Sequence, residues 1–166
     1  MGLFMSFQFA FGGFANAFLL APLTKLMGGS VQAVVKRCIL CMGISYLIQA
    51  WLFASPSSSV SLGFVSVPKP VPFVAIAMVL ATFQYSLGTS ITAETTSLVD
   101  ESMHGTLMGI EHSLFALANI VGPAAGTYLY SVVGLSGLSG TCGGLFIFVL
   151  FVFYCLHAPI VKQKAS

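Results

Sequence analysis

The 166-residue chain is 57% hydrophobic and only 6% charged, with 6 basic and 4 acidic residues and a net charge of +2. Soluble domains carry about 25% charged residues, so this composition, with a mean hydropathy of +1.00, excludes a solvated globular surface. The expected fold class is an all-α integral membrane bundle of about five transmembrane helices, and no nucleic-acid partner is expected.

A hydrocarbon core about 30 Å thick needs about 20 apolar residues per crossing. Five segments meet that need, at residues 3–21, 38–55, 72–93, 105–133 and 139–158. The first lacks the basic n-region of a signal peptide and runs into Pro22 and Lys25, which fit a helix end, so it reads as a mature helix. Met1 to Ser6 matches the myristoylation pattern, but the neighbouring residues read as membrane-embedded.

In the second span Cys38 and Cys41 spell C-x-x-C. A redox motif needs a strand leading into a helix, and a zinc ribbon needs a second such pair. The reading is therefore two small packing residues, with no cofactor, metal centre or catalytic residue expected in the chain. Ser55 to Pro70, with Pro56, three consecutive serines, Gly63 and Pro68, has the composition of an irregular exposed loop.

The third span changes character along its length. Phe73 to Ala81 is apolar, whereas Gln84, Tyr85, Ser86, Thr89, Ser90, Thr92 and Glu94 crowd the remainder. Polar groups at depth face protein or water, yet Ser and Thr also bond their own helix at i−4. For Gln84, pathway lining and structural bonding both stay open.

An acidic turn, Asp100 to His104, then leads into the fourth span, where Gly105, Gly109, His112, Ala116, Asn119, Pro123, Gly126 and Tyr130 recur in steps of four and three. That is a heptad-like seam on one face. Gly105, Gly109, Gly122, Pro123 and Gly126 form its helix-packing motif, since small residues let a second backbone approach. Glu111 beside the seam either carries protons or reaches interfacial water, and His112 and Asn119 either line a path or bond across helices. Leu135 to Gly140, short and rich in Gly and Ser, reads as the turn of an antiparallel hairpin joining the fourth and fifth spans.

Lys25, Lys36 and Arg37 follow the first span, Lys162 and Lys164 follow the fifth, and Lys69 falls on the opposite side. Positive residues prefer the cytoplasm, which places the carboxyl end inside and the amino end outside, with an upstream helix expected before Met1.

The acidic turn, the Gly105-Thr106-x-x-Gly109 start and the Gly122-Pro123-x-x-Gly126 sequence together resemble the carboxyl half of a major facilitator superfamily transporter. The style is that of tetracycline:proton and related drug antiporters, and of organic-cation-transporter-like solute carriers. Ala21 to Gly28 occupies the place of that family's cytoplasmic motif between helices eight and nine, matching it at Leu23 and Gly28 and departing from it at Ala21 and Lys25. The resemblance implies that the five spans correspond to helices eight to twelve, with the substrate path between two halves near the bilayer midplane. Asn16 and Gln84 then join Glu111, His112 and Asn119 as candidates for a substrate or proton pathway. The implied function is alternating-access transport of a small organic solute, with proton antiport as one form of coupling. The lipid bilayer and an amino-terminal half, or a homo-oligomeric copy, are the implied partners. The competing reading is a non-transporting membrane protein that acts as a packing or assembly partner.

Overall fold

Ser30 fixes the start of the second helix: it is extended (φ −106°, ψ 142°), and its Oγ accepts from the Ala33 amide at 3.2 Å. That bond satisfies one of the amides a helix start leaves free. Pro70 opens the third helix at a position where a missing N–H costs nothing. The computed structural model describes the backbone of residues 2–26, 30–55, 59–62 and 65–163. Its elements are α1 (Gly2–Leu26), α2 (Val31–Ala54), β1 (Ser59–Leu62), β2 (Val65–Pro68), α3 (Pro70–Ser97), a 3₁₀ turn (Glu101–Met103) and α4 (His104–Gln163). Among the described residues, four helices are long and apolar enough to cross a membrane.

Two expectations are corrected here. The fourth and fifth expected spans are the two arms of α4, broken at Gly134, and the stretch expected as the turn between them, Leu135 to Gly140, is helical, not a loop. Its glycines and serines pack instead of turning, with Ser139 buried and the Ser136 hydroxyl donating to the Ala50 carbonyl at 2.7 Å. The break falls at Gly134, which has φ 68° and ψ −175°, a conformation that only glycine adopts without strain. A straight α4 of 60 residues would be about 90 Å long at 1.5 Å per residue, so a membrane crossing needs that bend. The two segments do not form the expected close hairpin either, since residues 112–125 are exposed on every side.

The second correction concerns Ser55 to Pro70. Within it β1 and β2 pair antiparallel, Ser59 opposite Pro68 and Leu62 opposite Val65. The alternation of Ser with Val and Leu on both sides of Gly63 favours this hairpin over an irregular loop. Residues 56–58 lie outside the described backbone.

α2 is central. Its buried Val34 and Cys38 pack with Leu23 of α1 and with Phe83 and Leu87 of α3, so Cys38 serves as a small core residue and Cys41 stays a free thiol. Against its other face the carboxyl segment of α4 runs antiparallel, from Ser136 beside Ala50 to Tyr154, whose ring lies 4.8 Å from the Lys36 Nζ. Tyr46 stacks on Phe146 at 5.7 Å in that seam. α1 packs on α3, and Gly12 is buried there against the Tyr85 ring. Outward faces carry Phe7, Phe14, Phe18, Phe148 and Phe151, all exposed. Such a surface is costly in water and at home in lipid.

The helix ends sort the charges. Arg37 Nη1 donates to the Leu26 carbonyl at 3.0 Å and so caps α1, while Gln32 Nε2 donates to Glu94 Oε1 at 2.9 Å. Lys25, Lys36, Arg37 and Glu94 therefore gather at one end of the bundle. Lys69 lies at the other, donating to the Ser55 carbonyl and sitting 5.5 Å over the Phe53 ring.

Candidate functional site

The polar half of α3 faces two ways. Thr82, Thr89, Thr95 and Thr96 each donate to the carbonyl four residues back, at 2.7 to 3.0 Å. Self-bonding therefore accounts for much of the hydroxyl content of this span. Three residues nevertheless reach across to other helices.

Asn16 of α1 donates from Nδ2 to Thr89 Oγ1 at 2.9 Å. Because the Thr89 hydroxyl already donates to the Tyr85 carbonyl at 3.0 Å, it acts here as acceptor, and the Asn16 carbonyl oxygen is left buried without a protein partner. Bonds of this kind between membrane helices contribute about 0.6 to 2 kcal/mol. One turn further along α3, Thr92 donates to Glu111 Oε1 of α4 at 2.5 Å. The second oxygen, Glu111 Oε2, is likewise buried and unpartnered.

Beside these contacts lies a cleft of about 230 Å³, lined by Gln84, Tyr85, Gly88 and Thr89 of α3 and by Phe115 of α4. Glu111 and Phe115 are four residues apart, hence on one face of α4. Gln84 lines the cleft, whereas Asn16 and Glu111 are joined to α3 from α1 and from α4 by separate hydrogen bonds. His112 and Asn119 stand apart: both are exposed, and the Asn119 amide donates to the carbonyl of Phe115 in its own helix at 2.9 Å. Phe115 was not singled out from the sequence, and Tyr85, Thr89 and Thr92 stood out only as members of the polar stretch of the third span. The i, i+4, i+7 spacing of Tyr85, Thr89 and Thr92 puts them on one helix face and was the available signal.

The packing motif also sits differently from the glycines that are in fact packed. A Cβ added at Gly105, Gly109, Gly122 or Gly126 would meet nothing within 4 Å, and Pro123 is exposed. Close approaches occur instead at Gly12 against Tyr85, at Gly43 against Ile147 and Phe146, and at Gly143 against Leu47. Around the acidic turn, His104 Nε2 lies 3.2 Å from the Val99 carbonyl. Among the described residues no three His, Cys, Asp or Glu side chains cluster to hold a metal.

The chain is 28% identical over 139 residues to a human protein described as Major facilitator superfamily domain-containing protein 10, over 84% of this chain and 27% of that protein. It therefore spans about a quarter of the length of that relative. No family profile and no solved structure matches it. The likeness is to the superfamily named there and to nothing finer.

Proposed function

We propose that this chain forms part of a secondary transporter that moves a small organic solute across a membrane by alternating access, together with a further set of helices. The observation that carries the proposal is the pair of polar contacts that α3 makes across helices, Thr89 with Asn16 of α1 and Thr92 with Glu111 of α4, beside a cleft between α3 and α4 that Gln84 lines. Intramembrane polar and acidic groups mark solute and proton paths, and in this architecture such paths lie where two sets of helices meet. Supporting it, the amino segment of α4 presents an apolar face that no other element covers among the described residues. Glu111 is the group we assign to proton coupling, with Thr92 holding one carboxylate oxygen. The end bearing Lys25, Lys36 and Arg37 is assigned to the cytoplasm by the positive-inside preference.

The test is reconstitution in liposomes, the chain alone and co-expressed with an amino-terminal half of a major facilitator transporter. Uptake of organic solutes under an imposed proton gradient should appear only in the second case. Saturable uptake by the chain alone would overturn the need for a second set of helices. Absence of uptake from a correctly assembled complex, over a broad solute panel, would remove the transport reading in favour of an assembly role.

A further inference from the structure

Lys36 and Arg37 sit side by side near the start of α2, and the contacts they make leave their charge in place. The Lys36 ammonium lies 4.8 Å from the Tyr154 ring centroid and 5.5 Å from that of Phe153, while the Arg37 guanidinium donates to the Leu26 carbonyl. Rings and a carbonyl hold a cation without neutralising it. Lys25 adds a third positive charge at this end, and Glu94 accepts there from the neutral Gln32 amide.

From Arg37 a stripe runs down α2. Arg37, Cys41, Ile44, Ile48 and Trp51 recur in steps of four and three, which keeps them on one helix face. Ile44, Ile48 and Trp51 are 45%, 46% and 74% exposed, so among the described residues no other helix covers this face. Ile48 also forms part of the wall of a groove of about 250 Å³, together with Ser45 of α2 and with Ala75, Ile76 and Val79 of α3. Apart from the Ser45 hydroxyl, those side chains are hydrocarbon.

Length decides what fits. Ile48 lies eleven residues beyond Arg37, about 16.5 Å along the helix axis, and one leaflet of a core about 30 Å thick is about 15 Å deep. A molecule with an anionic head at Lys36 and Arg37 and a hydrocarbon tail one leaflet long therefore ends in the groove. Basic side chains at a membrane surface attract anionic lipid headgroups. The opposite end offers the single cation Lys69, already engaged by the Ser55 carbonyl and the Phe53 ring.

We infer that α2 and α3 hold an anionic phospholipid, its phosphate between Lys36 and Arg37 and one acyl chain running along Cys41 and Ile44 into the groove at Ile48, Ala75 and Val79. This goes beyond the transport reading, and it is tested on the chain by itself with no uptake measurement.

The experiment reads lipid contact by tryptophan quenching. Trp51 is the one tryptophan of the chain, so in a Trp51→Phe background Ile44→Trp reports from α2, and Val79→Trp reports from the groove rim on α3, where Val79 is 44% exposed. Leu117→Trp, on the exposed amino arm of α4, is the remote control. Each reporter is reconstituted in phosphatidylcholine bilayers, and brominated phosphatidylglycerol or brominated phosphatidylcholine is titrated in. At positions 44 and 79 the anionic lipid should quench at a mole fraction at least about fivefold lower, the effect of one basic side chain near an anionic headgroup. At position 117 the two lipids should quench alike. Lys36→Gln with Arg37→Gln should abolish the preference at position 44, Arg37→Lys and Lys69→Gln should keep it, and free glycerol phosphate should not compete. Lys36→Gln alone, which removes no cap from α1, should reduce the preference and serves if the double variant fails to fold. Equal quenching by the two lipids at position 44, a preference at 44 that is missing at 79, or an undiminished preference without the cations would each overturn the inference. So would the same preference at position 117, which would reflect a general attraction of the chain's charge, and so would displacement by glycerol phosphate, which would make the ligand a free phosphate.

Discussion

At Gly143 α4 comes close to the backbone of α2. An added Cβ would lie 2.9 Å from Leu47 and 3.1 Å from the Gly43 carbonyl, and a backbone atom cannot step aside as a side chain can. Gly143→Leu should therefore destabilise the α2–α4 seam by about 1 to 3 kcal/mol, the range for overpacking. Gly144→Leu, whose Cβ would meet nothing within 4 Å, should leave stability nearly unchanged. Unfolding of both variants in detergent, followed by circular dichroism, checks the pair; equal stability of the two would refute the seam. At this scale the sequence was only partly legible. Asn16 and Gln84 stand out because polar groups at depth are few, but a lone glycine such as Gly43 looks the same whether it meets lipid or Ile147. The pairing of Thr92 with Glu111 needs the fold, since neither residue's chemistry names its partner.

The helices themselves were largely readable from apolar length, while their interruptions were not. Gly134, Ser136, Gly137, Ser139 and Gly140 would mark a turn in a soluble protein; between membrane helices the same small residues allow close packing, and here all but Gly134 stay helical. The Ser-rich stretch after α2 was misread in the opposite sense, because its serines hid the alternation of Val60, Leu62, Val65 and Val67 that pairs β1 with β2. The break at Gly134 makes its own prediction. At φ 68° and ψ −175° a Cβ is strained whatever the space around it, so Gly134→Ala should cost about 1 to 3 kcal/mol. A straightened α4 would separate Ser136 from Ala50, so the same variant should also lower disulfide crosslinking between cysteines placed at those two positions. Unchanged crosslinking and stability would show that the bend is not imposed at this residue.

For the molecule as a whole, the sorting of charge to two ends gives a topology that can be checked directly. With Cys38, Cys41, Cys142 and Cys155 replaced, single cysteines at Ser55 and Ser102 should react with an impermeant maleimide from opposite sides of the membrane, Ser102 from the cytoplasm. Reaction of both from one side in sealed vesicles would reverse the assignment. The open glycine face of α4 separates two meanings of stability. Because a Cβ at Gly122 or Gly126 meets nothing within 4 Å among the described residues, the double substitution to Leu should leave the unfolding free energy of the isolated chain within about 0.5 kcal/mol of the parent, as expected of an unpacked position. If a second set of helices lies against that face, the same substitution should block their co-purification, since small residues set how close two membrane helices come. Destabilisation of the isolated chain would mean that its own helices cover the face. Normal co-purification would mean that lipid does, and the further helices would then have to meet this chain along another face.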